Sequence, residues 1–495
     1  MNKIAFDNKL YLSIQRQKIE ERIASFDGKL YIEFGGKLFD DYHASRVLPG
    51  FAPDSKIQLL IGMKDKVEIL VVVNTNHIKS NKVRGDLGIT YETEVMRLID
   101  AYHVAGLYVS SVVLSFYEES NPQVESFKHK LEINGIKVYK HYRIAGYPQS
   151  IPLIVSEEGL GKNEYVKTTR PLVIVTAPGP GSGKMATCLS QLYHDNKRGL
   201  SAGYAKYETF PVWNLPLSHP VNLAYEAATV DLHDMNMIDH YHLENYGITA
   251  VNYNRDIEVF PLLKAIFEKI YGRSPYNSPT DMGVNMVGFA IIDDEVAREA
   301  SKQEIIRRYF TAKKANFLGK FNDDCVDKTE MLMNQTGVSI EDRPCVSACL
   351  KKAELTGEPC TSIQLNDGRI VTGKRTSLLG ATAASLLNAL KLLANIPDDE
   401  LLISPELIKP IQVLKTGPLK NHNTRIRAEE ILIALSIQAN SSENAKKAFD
   451  QLPNLYGCEF HSSVILSTTD YSTLNRLGIH ITEESVSYAK KLYNK

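Results

Sequence analysis

At 495 residues the chain is too long for one hydrophobic core, because single cores stop growing at about 250–300 residues, so several domains are expected. Its 57 Lys and Arg side chains nearly balance its 58 Asp and Glu side chains. No global positive field would therefore draw the protein to nucleic acid, and nucleic-acid binding is not expected.

Other features of the composition indicate a cytoplasmic protein. The amino terminus has no apolar core after a basic start, and the most apolar runs, such as residues 67–73 and 171–177, fall short of the roughly 20 residues of a membrane helix. Six cysteines without regular spacing fit thiols that stay reduced. We expect no membrane contact, and a homo-oligomer is the general expectation for such a protein.

The first 150 residues alternate between amphipathic helical segments and short, apolar, β-branched runs. This alternation is typical of a mostly parallel sheet covered by helices. The predicted strands are residues 68–74, 108–116 and 137–142, and the predicted helices are residues 57–66, 91–104 and 124–134.

The rest of the chain divides into further segments. Residues 146–167 are rich in Pro, Gly and charge and suggest a boundary near 150–163. A strand at 172–175, a glycine-rich loop and a helix from Lys184 toward residue 196 follow. Later predictions are helices at 261–271, 295–316, 377–393 and 428–438, a hairpin turn at 366–368 and a strand at 462–467. We predict an N-terminal α/β domain (1–150), an α/β segment with the loop (151–254), a helical subdomain (255–350) and a C-terminal α/β domain (351–495).

The loop at residues 178–185 is the clearest functional signal. A strand, several glycines, a lysine and a helix follow one another, as a phosphate-binding loop requires. The pattern GxxxxGK[ST] is met only in part, since Pro178 replaces its first glycine and Met185 its hydroxyl residue. Methionine cannot ligate magnesium, although Thr187 or Ser182 could substitute.

We therefore predict a phosphate or nucleotide site rather than a dependable NTPase. The alternative is a tight turn between strand and helix. The predicted phosphate-binding residues are Gly179, Gly181, Ser182, Gly183 and Lys184.

An acidic run after residues 288–292 has two interpretations. Asp293, Asp294 and Glu295 follow an apolar stretch, as the magnesium-positioning carboxylate of an NTPase does. They also fit the first turns of a helix. The helix is favoured, because the helical pattern continues past Glu295.

Two other polar segments contain candidate residues. A charged, glycine-containing loop at residues 31–50 either contacts an anionic substrate beside the phosphate loop or forms a surface turn; its candidates are Gly35, Gly36, Lys37, Asp40, His43 and Arg46. The segment 219–242 either holds a metal or substrate or forms a hydrogen-bonded polar network, which is favoured; its metal candidates are Asp231, His233, Asp234 and Asp239. The peptidase patterns HExxH and GxSxG are absent.

The chain resembles a bacterial family of uncharacterised proteins with a domain of unknown function. The resemblance lies in FGGKLFDDYHASRVLPGF, APGPGSGK, SPTDMGVNMVGF and DGRIVTGKRTSLLGATAASLLNALK. Members are sometimes labelled ATP-dependent peptidases, which the motifs do not support. The last of these segments also resembles the cytidine-deaminase-like fold of purine-biosynthetic transformylases, and without the deaminase zinc motif it implies that fold and not that chemistry.

Two functions follow from these observations. The first is an enzyme that binds a nucleotide or another phosphorylated small molecule and carries out phosphoryl transfer, hydrolysis or chemistry on a phosphorylated metabolite. The second is a non-catalytic sensor or assembly protein that binds the same ligand. Whether the protein is an enzyme, and whether a nucleotide with a divalent metal is its cofactor, stays open.

Overall fold

The computed structural model describes residues 3–36, 38–84, 88–119 and 121–487. The chain forms two compact units. The N-terminal unit comprises Lys3–Glu226 and His233–Ser301, and the C-terminal unit comprises Ala227–Leu232 and the chain from Lys302 onward. Over the described ranges, every helix is too short or too polar to cross a membrane.

A six-stranded parallel sheet forms the centre of the N-terminal unit. Its strands are β1 (Leu30–Phe34), β2 (Val67–Asn74), β3 (Tyr108–Ser115), β4 (Lys137–Lys140), β5 (Leu172–Thr176) and β6 (Gly203–Tyr207), in the order β4-β3-β2-β5-β1-β6. The sequence predicts a domain boundary near residue 150. In the structure β5, which follows that position in the chain, lies between β2 and β1, which precede it. Residues on both sides of that position therefore build one sheet.

The central strands are apolar because helices cover both of their faces. All eight residues of β2 and all five of β5 are buried, as expected for parallel strands packed on both sides. Successive side chains alternate between faces, so Val71 packs in the core on one face and Val72 in the core on the other.

The helices of the N-terminal unit include several short ones. Their bounds are α1 (Asn8–Ala24), α2 (Tyr42–Val47), α3 (Ser55–Ile61), α4 (Thr75–Lys79), α5 (Tyr91–Val104), α6 (Pro122–Ile133), α7 (Ile151–Ile154), α8 (Lys184–Lys197), α9 (Pro220–Ala228), α10 (His240–Tyr246), α11 (Asn254–Tyr271) and α12 (Pro279–Met282). Side chains of α1, α3, α5 and α6 pack in the core on one face of the sheet, and those of α8 and α11 in the core on the other. A two-stranded hairpin, β7 (Asn236–Ile238) and β8 (Val251–Tyr253), lies outside this sheet.

The strand order creates a crevice at the carboxyl edge of the sheet. From β2 the chain steps to β3 and then to β4, whereas from β5 it steps in the opposite direction to β6. The segments that leave β2 and β5 therefore diverge. In open α/β sheets, ligands bind at such a switch point.

The C-terminal unit contains a smaller, mixed sheet. Its strands are β9 (Cys360–Gln364), β10 (Ile370–Lys374), β11 (Glu459–Ser462) and β12 (His480–Glu483), in the order β10-β9-β11-β12. The antiparallel pair β9 and β10 confirms the predicted hairpin. The predicted strand 462–467 was wrong. Pairing ends at Ser462, whose hydroxyl donates to the carbonyl oxygen of Val464 at 2.7 Å and so bends the chain.

Helices make up much of the remaining chain. Their bounds are α13 (Asp294–Phe317), α14 (Asp323–Thr336), α15 (Pro344–Thr356), α16 (Ala381–Leu393), α17 (Pro405–Thr416), α18 (Ala428–Gln438), α19 (Glu443–Phe449) and α20 (Thr468–Arg476). Of the two interpretations of the acidic run, the helix is confirmed, because Asp294 and Glu295 form the first turn of α13. Side chains of α16 and α18 pack in the core of the C-terminal unit, whose likeness to the cytidine-deaminase-like fold stays a prediction.

Candidate functional site

The glycine-rich loop connects β5 directly to the amino terminus of α8. Two of its glycines have positive φ, 69° at Gly181 and 89° at Gly183, a conformation that glycine adopts without the usual penalty. Gly183 is the N-cap of α8, and no side chain in the described part of the chain caps this helix. The first N–H groups of a helix have no partner within the helix, and together with its dipole they favour an anion.

Side chains from neighbouring strands hold the loop in place. The Ser115 hydroxyl, at the end of β3, donates to the carbonyl oxygen of Ser182 at 2.6 Å. The Asn74 amide, at the end of β2, donates to the carbonyl oxygen of Gly181 at 3.0 Å. The loop is thereby fastened to the carboxyl edge of the sheet, at the switch point between β2 and β5.

The loop opens onto a cavity of about 460 Å³, a size in the range of small-molecule sites. Residues of the loop and of α8 form part of its wall. The remaining wall combines aromatic and aliphatic groups with a few polar ones: Glu33, Ser115, Phe116, His141, Tyr142, Arg143, Ile144, Tyr147 and Asn163. The cavity can therefore accept a ligand that has both an anionic and an apolar part.

Lys184, the first residue of α8, lies beside Glu33 in this cavity. Its Nζ is 3.7 Å from Oε1 of Glu33, and both side chains are mostly buried. The other carboxylate oxygen of Glu33 accepts a hydrogen bond from the Tyr204 hydroxyl at 3.0 Å. Glu33 belongs to β1, the neighbour of β5 in the sheet, so the fold brings an anionic and a cationic group to the same edge.

The two hydroxyl groups that could replace the missing magnesium ligand are already engaged. Ser182 donates to the carbonyl oxygen of Gly179 at 2.6 Å, and Thr187 donates to that of Gly183 at 3.0 Å. Both residues are buried. Both hydroxyl protons therefore stabilise the loop and helix backbone, and the burial of both residues limits the approach of a hydrated metal ion.

His141 forms a neutral part of the cavity wall. Burial lowers the pKa of its imidazole to about 4. Nε2 lies 3.0 Å from the carbonyl oxygen of Glu164, and Nδ1 lies 3.4 Å from the Thr187 hydroxyl. At neutral pH His141 therefore contributes polarity and shape to the site but no positive charge.

The predicted substrate segment follows β1 at the same edge of the sheet. Glu33 of this segment lines the cavity, but none of the described candidate residues does. The N–H of Gly35 donates to the carbonyl oxygen of Tyr207, and Gly36 has a φ of 69°. Asp40 lies between the end of β1 and the start of α2. His43 packs edge-on against two aromatic rings, and Arg46 lies in α2. Lys37 lies outside the described residues.

A buried ion pair stabilises this segment. Lys56 Nζ lies 3.0 Å from Oδ2 of Asp41 and donates to the carbonyl oxygen of Gly35 at 3.2 Å. Burial alone would raise the pKa of Asp41, but the Lys56 ammonium, His43 and the Ala44 N–H together outweigh burial and hold this pKa below its usual value. The contacts indicate a folded connection beside the site.

The predicted metal candidates have other partners or lie in solvent. Asp234 pairs with Arg255, and Asp239 caps α10 and accepts a hydrogen bond from Thr280. Asp231 and His233 are exposed. Within the ranges that the structure describes, no three His, Cys, Asp or Glu side chains are grouped so that they could hold a metal ion.

Comparison with known proteins identifies the family. The model described as "Domain of unknown function DUF1846, N-terminal" matches residues 4–337, and its C-terminal counterpart matches residues 341–493. The chain belongs to the DUF1846 family. It is 56% identical over 495 residues to a UPF0371 protein of Streptococcus pyogenes serotype M5 (strain Manfredo), and 55% identical to one of Streptococcus uberis (strain ATCC BAA-854 / 0140J). Both matches cover 100% of each chain, which confirms the resemblance to an uncharacterised bacterial family.

A second charged group in this DUF1846 chain was not predicted from the sequence. Lys206 of β6 lies 2.6 Å from Oδ2 of Asp256, in the first turn of α11, and 3.2 Å from Oε1 of Glu208. The three side chains line a small cavity of about 50 Å³. Burial raises the pKa of Glu208 to about 7; Lys206 opposes this effect, and Asp256 and Glu33 add to it.

Proposed function

We propose that this protein binds a phosphorylated small molecule at the glycine-rich loop. The phosphate is bound by Gly179, Gly181, Ser182, Gly183 and Lys184. One observation carries the proposal: the amino terminus of α8, without a side-chain cap in the described chain, and the Lys184 side chain both face a cavity of about 460 Å³. A helix terminus and a lysine together supply hydrogen-bond donors and positive charge.

The remaining cavity wall supports an organic group on the phosphate. Phe116, Tyr142 and Tyr147 contribute aromatic surface, and Ile144 and Met185 contribute aliphatic surface. Aromatic faces stack well on planar rings, and a nucleotide combines such a ring with a phosphate. Arg143 is exposed at this wall and adds a second positive charge for an extended anion. Nucleotides are accordingly the first ligands to test, followed by sugar phosphates.

The site supports binding better than magnesium-dependent hydrolysis of the ordinary P-loop kind. P-loop NTPases use a Ser or Thr hydroxyl at the position of Met185 to hold magnesium. The hydroxyls of Ser182 and Thr187 belong to buried residues at other positions and donate to backbone carbonyl groups. Ligand binding is therefore the function that the geometry supports best.

Thermal unfolding of the full chain with a panel of nucleotides and sugar phosphates tests this proposal. A ligand at about 100 times its dissociation constant stabilises the protein by about 2.7 kcal/mol. We expect Lys184→Ala to remove the stabilisation. Lys197→Ala, which removes an exposed lysine at the other end of α8, should retain it.

Two results would overturn the proposal. One is the absence of stabilisation by every member of the panel. The other is equal stabilisation of the wild-type protein and the Lys184→Ala variant.

A further inference from the structure

Glu33 occupies an unusual position for a site that binds an anion. It contributes the carboxylate among the residues that line the cavity, and its Oε1 lies 3.7 Å from Nζ of Lys184. A phosphate bound by Lys184 would therefore lie close to a second negative charge. Like charges that are partly removed from water repel each other strongly, so Glu33 by itself opposes the ligand.

Four other oxygen-bearing side chains of the cavity form hydrogen bonds with the backbone. The hydroxyls of Ser115, Ser182 and Thr187 donate to backbone carbonyl groups. The amide oxygen of Asn163 accepts a hydrogen bond from the N–H of Tyr142. Glu33 differs from these groups, because Tyr204 holds only its Oε2 and leaves Oε1 directed toward the loop lysine.

A divalent cation would resolve the conflict between Glu33 and the phosphate. Mg²⁺ is commonly bound by one or two carboxylates together with the phosphate oxygens of a ligand, and it keeps several of its waters. Because the described residues contain no group of three metal-binding side chains, the cation would enter with the ligand and not before it.

We propose that Glu33 binds a divalent cation, Mg²⁺ in the simplest case, which bridges its Oε1 to the phosphate held by the loop. This proposal rests on the proposed function, since it requires a phosphate at Lys184. In P-loop NTPases a Ser or Thr hydroxyl has this role, at the position that Met185 occupies here; in this protein it would belong to Glu33 of β1. The Tyr204 hydroxyl orients the carboxylate for this contact.

Calorimetric titration of the full chain with inorganic pyrophosphate, with and without MgCl₂, tests the proposal. Wild-type protein should bind pyrophosphate at least about tenfold more tightly with Mg²⁺, and Mg²⁺ alone should give no binding heat. Glu33→Gln should bind metal-free pyrophosphate more tightly than wild type, because the repulsion is gone, and should lose the enhancement by Mg²⁺.

Three further variants separate this role from a structural one. Glu33→Asp keeps the charge but withdraws it by one methylene, so the Mg²⁺ enhancement should fall while metal-free affinity stays near wild type. Glu157→Gln removes a carboxylate outside the cavity and should behave like wild type. Lys184→Ala should weaken binding in both conditions.

The outcomes distinguish the two proposals. Binding by wild type that Mg²⁺ does not strengthen, or an unchanged Mg²⁺ enhancement in Glu33→Gln, overturns the cation proposal alone. An equal loss of affinity in Glu33→Gln with and without Mg²⁺ also overturns it and makes Glu33 a positioning partner of Lys184. Absence of pyrophosphate binding by wild type in both conditions overturns the loop as a phosphate site and the cation proposal with it.

Discussion

The Ser115 hydroxyl donates a hydrogen bond to the carbonyl oxygen of Ser182 at 2.6 Å, although the two residues are 67 positions apart in the chain. The first residue ends β3, and the second lies in the glycine-rich loop after β5. This bond, with that from Asn74 to Gly181, joins the loop to two strands that do not precede it directly. The loop conformation therefore depends on the carboxyl ends of β2 and β3 as well as on β5.

Removal of the Ser115 hydroxyl should weaken the loop. Ser115→Ala leaves the carbonyl oxygen of Ser182 without this donor, and we expect a loss of about 1 kcal/mol in the free energy of unfolding. Affinity for a phosphorylated ligand should fall as well, because the loop is less ordered. Urea unfolding and ligand titration measure the two effects, and Ser110→Ala, in the same strand but away from the loop, is the control. Unchanged stability in Ser115→Ala would contradict this role.

Two loop glycines should respond differently to alanine. A Cβ at Gly181 meets no atom within 4 Å, so Gly181→Ala costs only the positive φ, about 1 kcal/mol. A Cβ at Gly179 would lie 2.4 Å from the Tyr91 hydroxyl oxygen, and such overpacking typically costs about 1–3 kcal/mol. Urea unfolding of Gly179→Ala, Tyr91→Phe and the double variant measures the coupling. Strict additivity would show that Tyr91 is not the obstacle.

A Thr187 variant tests whether the hydroxyl of this residue stabilises the helix backbone and does not bind the metal. Thr187→Val keeps the shape of the side chain but removes the donor to Gly183, and we expect a loss of about 1 kcal/mol in stability. The enhancement of pyrophosphate binding by Mg²⁺ should not change. If that enhancement disappears while the variant stays folded, Thr187 and not Glu33 is the metal ligand.

Glu208 should make stability depend on pH near neutrality. Burial raises the pKa of its carboxyl to about 7 from 4.5, so the folded protein keeps a proton that the unfolded chain releases. The resulting stabilisation is fully present below pH 4.5 and is lost as pH rises through about 7. Relative to Glu208→Gln, wild type should therefore lose stability between pH 5 and pH 8.

Urea unfolding at several pH values measures this difference. Lys206 and Asp256 face Glu208 directly and Glu33 lies nearby, and the Glu208→Gln variant leaves all three of these side chains in place. Glu258→Gln, which removes an exposed carboxylate from α11, is the control. Parallel pH profiles for wild type and Glu208→Gln would contradict the raised pKa.

The sequence was most informative where apolar side chains or glycines determine the structure. The predicted bounds of α5 and α18 match the observed ones, since both helices combine a helical apolar pattern with clear ends. The runs at β2 and β5 consist mainly of Val, Ile and Leu and were confirmed as strands. The conformation of the loop between β5 and α8 depends on glycines with positive φ, and the glycines themselves are visible in the sequence.

Two strands of the central sheet were not predicted. β1 contains Glu33 and β6 contains Lys206, and charged residues interrupt the apolar pattern that marks a buried strand. These same side chains lie at the carboxyl edge, where Glu33 meets Lys184 and Lys206 meets Asp256. Local sequence rules tend to fail at functional sites. Glu33, which interrupts β1, therefore lines the candidate site, whereas Lys206, which interrupts β6, lines the smaller cavity beside Glu208 and Asp256.

The location of a bound oxyanion tests the central claim most directly. Tungstate is a tetrahedral dianion like phosphate, and its anomalous scattering shows its position in a crystal of the full chain. We predict a tungsten peak from which the tungstate oxygens reach the N–H groups of Gly183 and Lys184 and Nζ of Lys184, and no such peak in Lys184→Ala. A wild-type crystal with no peak at the loop, or an equal peak in the variant, would contradict the assignment of this loop as a phosphate site.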